Sequence, residues 1–491
     1  MKEKEYRMAT AARGALLFMQ GIPGVPLGDR VVVRDHRGRK RNGQVILTSD
    51  ETVLVQVFEG TDDLDLERTW VRFLEEPFTL PLSPDMLGRV FNGVGQPKDG
   101  RPPIISALKR NVNGAPVNPS ARSYPREFIQ TGISTIDGLN SLVRGQKLPI
   151  FSGSGLPHNR LAAQIVRQAK LLGEAANFVV VFAAMGVSHT DARFFEEDFE
   201  SSGVLGNVVM FINLADDPPM ERLILPRTAL TAAEYLAFDL DRHVLAVVTD
   251  MTHYAEALRE VATAKGDVPA RKGYPGYLYS DLAEIYERAG RIHDRHGSIT
   301  MVPVLSMPSD DITHPIPDLT GYITEGQIVL SRELHNQGAY PPVTVPPSLS
   351  RLMKDGIGKD DTREDHPRVA SQLYASYARA LEARNLASII GAEELSERDR
   401  LYLAFADAFE KRFVTQGEQE DRSIVETLDL AWELLSLLPP ETLGRVTEAD
   451  LKKYHNWEVV SAERANWYGR TSEDSADEEH PADPQAAGRV S

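Results

Sequence analysis

Residues 148–163 read Leu148-Pro149-Ile150-Phe151-Ser152-Gly153-Ser154-Gly155-Leu156-Pro157-His158-Asn159-Arg160-Leu161-Ala162-Ala163. A short apolar run that breaks into glycines and serines and then resumes with Leu161-Ala162-Ala163 is the pattern of a strand, a turn and a helix. Loops that hold nucleotide phosphates occupy this context and read G-x-x-x-x-G-K-[ST]. Their backbone N–H groups cradle phosphate, the lysine reaches the β and γ phosphates, and the hydroxyl binds Mg²⁺. With that pattern laid over residues 152–159, His158 takes the lysine position and Asn159 the hydroxyl position. Pro157 replaces the preceding glycine and removes one N–H donor. A neutral imidazole is a poor substitute for a fixed ammonium. Ser152, Gly153, Ser154 and Gly155 can still line an anion-accepting turn, and a plain glycine-rich strand-to-helix turn fits the spacing equally well.

Downstream of this turn, apolar runs at 178–182, 208–212, 244–248 and 299–304 alternate with helix-like stretches at 161–172, 191–200 and 229–238. Buried apolar strands separated by helices predict a mostly parallel α/β sheet. The run at 244–248 closes on Thr249-Asp250. In phosphate-loop enzymes such an aspartate organises Mg²⁺ and its waters, and in many other proteins it caps a turn or a helix. Gly358-Lys359 is followed by Asp360-Asp361 and follows no strand, so it is not a second phosphate loop.

Upstream, short β-branched runs at Val31-Val32-Val33 and 53–58 are punctuated by Gly28-Asp29, Arg41-Asn42-Gly43 and Glu59-Gly60, all turn signals. They predict a small β-barrel over residues 1–80. The Gly/Pro-rich stretch 88–119 is either a linker or a chain draped over the next domain. Beyond Gly356 the periodicity turns helical: Val369, Leu373, Tyr377 and Leu381, then Leu401, Phe405, Phe409 and Phe413, then Ile424, Leu428, Trp432 and Leu435. Ser396 is positioned as an N-cap. The expected order is a β-barrel (1–80), a phosphate-loop-type, RecA-like α/β domain (81–355), a helical domain (356–470) and an acidic disordered tail (471–491).

The 491 residues carry a formal charge of −17 and no cysteine. Absence of cysteine excludes disulfides, thiolate metal sites and cysteine nucleophiles. The negative field disfavours binding to nucleic acid. No apolar run approaches the roughly 18–20 residues that span a bilayer, and the N-terminal stretch lacks a signal-peptide pattern. Association with a membrane is therefore expected to run through partners.

Residues 128–137 and 144–159, Thr249-Asp250-Met251-Thr252, Gly273-Tyr274-Pro275-Gly276-Tyr277-Leu278-Tyr279, residues 310–321 and Pro347-Ser348-Leu349-Ser350-Arg351-Leu352 carry a resemblance to the B subunit of V-type and archaeal-type rotary ATPases, over about residues 5–470. The resemblance implies a hexameric head of three B and three catalytic A chains, with central rotor-stalk and peripheral stator-stalk subunits. It also implies peripheral placement on the cytoplasmic face of a membrane, through an ion-translocating sector moving protons or sodium. Catalytic relatives carry a water-activating glutamate after the second core strand, where this chain has Val187. Arg351 matches the arginine that the family inserts into the neighbouring catalytic site. Tyr340 resembles a tyrosine that stacks on adenine, and Glu393-Glu394 lies where the family meets its rotor. Pro346 and Asp360-Asp361 depart from the family pattern near Arg351.

The resemblance therefore implies a non-catalytic, regulatory subunit. ATP or ADP is the implied cofactor, Mg²⁺ is held mainly at the shared site, and no metal site belongs to this chain alone. A catalytic homohexameric ATPase of the same fold is the main alternative, and a nucleotide-free scaffold is the third reading.

Overall fold

The computed structural model describes residues 5–49, 51–173 and 177–456; the acidic stretch 471–491 lies outside them. The chain divides into two compact units. One comprises Met1–Arg363 with Val414–Ile424, the other Glu364–Phe413 with Val425–Ser491.

The first unit begins with seven antiparallel strands between Glu5 and Pro77. Their inward residues, including Leu17, Met19, Val31, Val33, Val45, Val55 and Val71, form one apolar cluster. Alternation of buried and part-exposed positions along Asp29–Arg34 shows one face turned to that core. One expected turn is corrected: Arg41-Asn42-Gly43 lies inside the strand Lys40–Thr48. The reversal occurs earlier, where Asp35 accepts hydrogen bonds from the N–H groups of Arg37 and Arg39, both at 2.9 Å. Asn42 instead binds the Glu59 carboxylate through its N–H (2.7 Å) and its side-chain amide (2.9 Å). A short polar side chain that reads locally as a turn here serves a long-range contact.

The central sheet is built from β1 (Arg89–Phe91), β2 (Ile150–Gly153), β3 (Phe178–Val187), β4 (Val208–Leu214), β5 (His243–Thr249), β6 (Ser298–Met307), β7 (Gly326–Leu330) and β8 (Val343–Ser350). Their order is β8-β7-β2-β6-β5-β3-β4-β1. Every neighbouring pair is parallel except β7 and β8. Nearly every residue of β3, β5 and β6 is buried, as strands covered on both faces require. The stretch 88–119 is draped rather than a free linker: β1 pairs with β4 and extends the sheet. Next to it, the N–H of Gly93 donates to Glu221 at 2.9 Å, and burial pushes that carboxyl up to about 7.

Helices α1 (His158–Gln168), α2 (His189–Ser201), α3 (Pro219–Phe238), α4 (Met251–Lys265), α5 (Leu278–Tyr286), α6 (Pro315–Ile323) and α7 (Arg332–Asn336) connect these strands. Helix α1 opens at His158, three residues before the expected start, and Lys170-Leu171 forms a short strand where helix was expected. Helix α3 starts ten residues before the expected 229 and contains Pro226.

In the second unit, α8 (His366–Ile390), α9 (Glu397–Ala408), α10 (Ile424–Leu435) and α11 (Glu448–Tyr454) carry the buried stripes. Ser396 caps α9 by accepting from the Asp399 N–H, as expected. The Phe405, Phe409 and Phe413 rings stack in series at 5.9 and 5.1 Å between centroids, with Tyr377 at 4.7 Å from Phe409. Phe409–Val414 is wound as π-helix, which keeps the four-residue repeat of rings on one side.

Candidate functional site

Strands β2 and β5 end on the same edge of the sheet, where α1 and α4 begin. Crevices at the carboxyl ends of parallel strands are where α/β folds place ligands. Ser152 and Gly153 are the last residues of β2, so the exposed turn is only Ser154-Gly155 followed by buried Leu156. His158 and Asn159 are the first residues of α1 rather than of a loop.

The His158 imidazole points back to Ser152, with Nδ1 3.0 Å from the hydroxyl. Burial lowers its pKa below the ordinary value; the Asp250 and Asp191 carboxylates oppose that shift without cancelling it. Burial therefore favours the neutral form of the ring at this position. Asn159 holds its Oδ1 buried with no hydrogen-bond partner among the described residues.

Asp250 is buried at the end of β5 and caps α4, accepting from the Thr252 N–H at 2.7 Å. It also accepts from the Ser306 N–H at 3.1 Å and from the Ser306 hydroxyl. Both carboxylate oxygens are thus engaged inside the chain. Neutral Asn159 and committed Asp250 do not make a Mg²⁺ site. Among the described residues no group of three or more His, Cys, Asp or Glu side chains is gathered as a metal site.

One cation that touches the turn was invisible to motif reading. Arg332, the first residue of α7, pairs with Asp310 at 2.6 Å and donates to the Ser154 carbonyl at 2.9 Å. The pair lies against Gly153: a Cβ there would sit 2.1 Å from Asp310 Oδ1 and 2.7 Å from Arg332 Nη2. Arg332 stands 22 residues from Asp310 and 178 from Ser154, so no local signal could have joined them.

Tyr340 sits before β8, with its hydroxyl donating to Gln164 of α1 at 2.9 Å. The segment Val414–Ile424 binds around the same place. Gln416 donates its backbone N–H to the Tyr340 carbonyl at 2.5 Å, and its side chain accepts from the Ser134 N–H. Gln164 donates to the carbonyls of Gly417 and Glu420, while Arg160 pairs with Glu418 at 2.7 Å. Val187 is buried at the end of β3 and offers no acid or base.

Arg351 lies elsewhere in the same unit, one residue past β8. Its N–H donates to the Glu325 carbonyl at 2.9 Å. Its guanidinium is exposed and reaches only backbone oxygens, Thr324 at 3.3 Å and Gly321 at 3.5 Å. Among the described residues no carboxylate pairs with it, so the side chain is not spent on a surface salt bridge. In the GYPGY motif, Tyr274 is buried and bonded to Glu256, whereas Tyr277 is exposed and bonded to Asp267.

Comparison with known proteins bears on the whole chain. The ATP synthase alpha/beta family nucleotide-binding domain matches residues 132–350. The C-terminal domain of V and A type ATP synthase matches 355–455, and the alpha/beta family beta-barrel domain matches 10–75. The chain is 80% identical over 465 residues to a V-type ATP synthase beta chain of Nitrosococcus oceani, covering 95% of this chain and 97% of that one. It is 60% identical over 452 residues to the B subunit of an A-type ATP synthase from Aeropyrum pernix, covering 92% and 98%. Among solved structures it resembles an ATP synthase subunit from Nanoarcheaum equitans, with 41% identity, a TM-score of 0.69, and coverage of 87% of this chain and all of that one.

Proposed function

The chain belongs to the ATP synthase alpha/beta family as a B (beta) chain of its V/A branch, and from that premise we propose that it is the non-catalytic partner in a shared active site. A nucleotide-binding domain is present, and the complex to which such chains belong is membrane-associated. Among the described residues no helix is long and apolar enough to cross a membrane. The attachment is therefore proposed to run through other subunits on the cytoplasmic face. Three of these chains alternate with three catalytic A subunits, above rotor and stator stalks, and ATP hydrolysis or synthesis is coupled to transport of protons or sodium.

The observation that carries this reading is the contrast between Arg351, an exposed guanidinium held by backbone carbonyls, and His158, a neutral ring folded onto Ser152. Arg351 faces the transferred phosphoryl group of the neighbouring A subunit. There a planar, always-charged fork opposes the charge that develops on the equatorial oxygens. Arginine supplied in trans is worth on the order of 10³–10⁵ in rate. With Val187 in place of a base and His158 in place of lysine, this chain does not turn over ATP itself.

ATP or ADP binds the degenerate site weakly, on backbone donors of the turn and the first turn of α1, near Asn159, Asp250 and Tyr340. Mg²⁺ belongs to the catalytic site next door. A second reading, in which this site takes no nucleotide, draws on the closure of Tyr340 by Gln164 and Gln416. Equilibrium dialysis with ADP separates the two. The function is tested by measuring steady ATP turnover with Mg²⁺ for the chain alone and after mixing with the catalytic subunit. None alone and activity on mixing supports the proposal. Robust turnover alone replaces it with a homohexameric ATPase.

A further inference from the structure

The exposed guanidinium of Arg351 needs a rigid seat, because a long side chain that wanders by about 1 Å loses on the order of 10²-fold in rate. Its seat is the last turn of α6 and the short stretch that leads from it to β7. The Gly321 and Thr324 carbonyls receive the guanidinium, and the Glu325 carbonyl receives the Arg351 N–H.

That stretch is pinned at one residue. Glu325 donates its N–H to the Lys147 carbonyl at 3.1 Å and accepts from the Lys147 N–H at 2.8 Å. It also pairs with the Lys147 ammonium at 2.8 Å. The Lys147 side chain is only 4% exposed, and its other carboxylate is Glu287 at 3.2 Å, itself held by Arg122 at 2.6 Å. Gln146 closes the arrangement, donating to the Glu325 carbonyl at 3.2 Å and to the Ser350 hydroxyl at 2.9 Å. A buried ammonium fixed by two carboxylates has little freedom, and removing one of them leaves charge poorly compensated in a nearly dry place.

We propose that Glu325, locked by the buried Lys147, is a positioning residue that sets the orientation of Arg351. It acts through Arg351 and touches no substrate. The inference rests on the reading of Arg351 given above, and a double-variant experiment keeps the two separable.

Complexes are assembled from the catalytic subunit and wild type, Glu325→Gln, Arg351→Ala or the double variant. Hexamer formation is checked by size exclusion, and kcat and KM for ATP are measured. Glu325→Gln keeps the shape and removes the charge. Its kcat is expected to fall on the order of tenfold with KM little changed, and to fall no further in the Arg351→Ala background. Equal losses in both backgrounds, or wild-type turnover in Glu325→Gln, overturn the positioning role. Wild-type turnover in Arg351→Ala overturns the Arg351 reading itself. Lys147→Gln approaches the pair from the other side and is read the same way. If neither Glu325→Gln nor Lys147→Gln assembles, the pair is a folding element and the proposal falls.

Discussion

Two corners of the same α/β unit are built on opposite plans. At the end of β2 the charged and titratable groups are partnered within the chain: His158 with Ser152, Asp250 with Thr252 and Ser306, Arg332 with Asp310 and Ser154. At the end of β8 the structure is rigid underneath and open on top, with Arg351 seated on backbone oxygens and its charge left without a carboxylate among the described residues. A corner whose charges are internally satisfied has little left for a ligand, whereas an uncompensated cation on a rigid seat is an unfinished interaction. The difference lies in where the cations point: Arg332 into a pair with Asp310, Arg351 onto backbone oxygens.

The corners also differ in how much distortion they accept. Gly326 opens β7 at φ +140°, and a Cβ there would lie 2.1 Å from the Leu349 backbone oxygen. At Gly153 the obstruction is side-chain, Asp310 and Arg332, both part-exposed and able to shift. Gly326→Ala is expected to destabilise the chain by about 3 kcal/mol and Gly153→Ala by about 1 kcal/mol, read as urea midpoints. Equal losses would erase the distinction between a rigid and a yielding corner.

Tyr340→Phe removes one hydroxyl bond to Gln164 and is expected to cost about 1 kcal/mol in the same assay. If ADP affinity rises in that variant, the closure around Tyr340 opposes nucleotide. Unchanged affinity means it does not.

The smallest effect is a pH dependence. His158 is held below its ordinary 6.5 in the folded chain, so the folded state binds its proton less readily than the unfolded state. Its stabilising contribution is present above about 6.5 and is lost as pH falls through the lower folded value. Relative to His158→Gln, the wild type is therefore expected to lose stability between pH 7 and pH 5. A constant difference would mean that the ring is not desolvated as described.

Much of the fold was legible because its strands are unmixed apolar runs: β3, β5 and β6 advertise burial on both faces in their own residues. The helical stripes were equally plain, down to the Ser396 cap. Arg41-Asn42-Gly43 misled because Asn and Gly in a strand look like Asn and Gly in a turn until the Glu59 contact is known. The start of α1 was misplaced because its first turn is polar and follows a proline. At the site, spacing put His158 and Asn159 after a glycine turn but fitted a plain strand-to-helix turn equally well. The resemblance pointed to Arg351, but the seat under it could not be read from the sequence. Lys147 and Glu325 are 178 residues apart, and the return of Val414–Ile424 to the first unit depends on contacts of similar reach. Pairings across such distances depend on the folded topology, and the chain gives no local sign of them.

The most direct test is the turnover of the complex assembled with Arg351→Ala, measured beside wild type at saturating ATP and Mg²⁺. A guanidinium acting across the boundary between two chains requires kcat to drop on the order of 10³-fold while KM stays nearly constant. Turnover within a few-fold of wild type, in a complex of intact stoichiometry, would contradict it and leave Arg351 an ordinary surface residue.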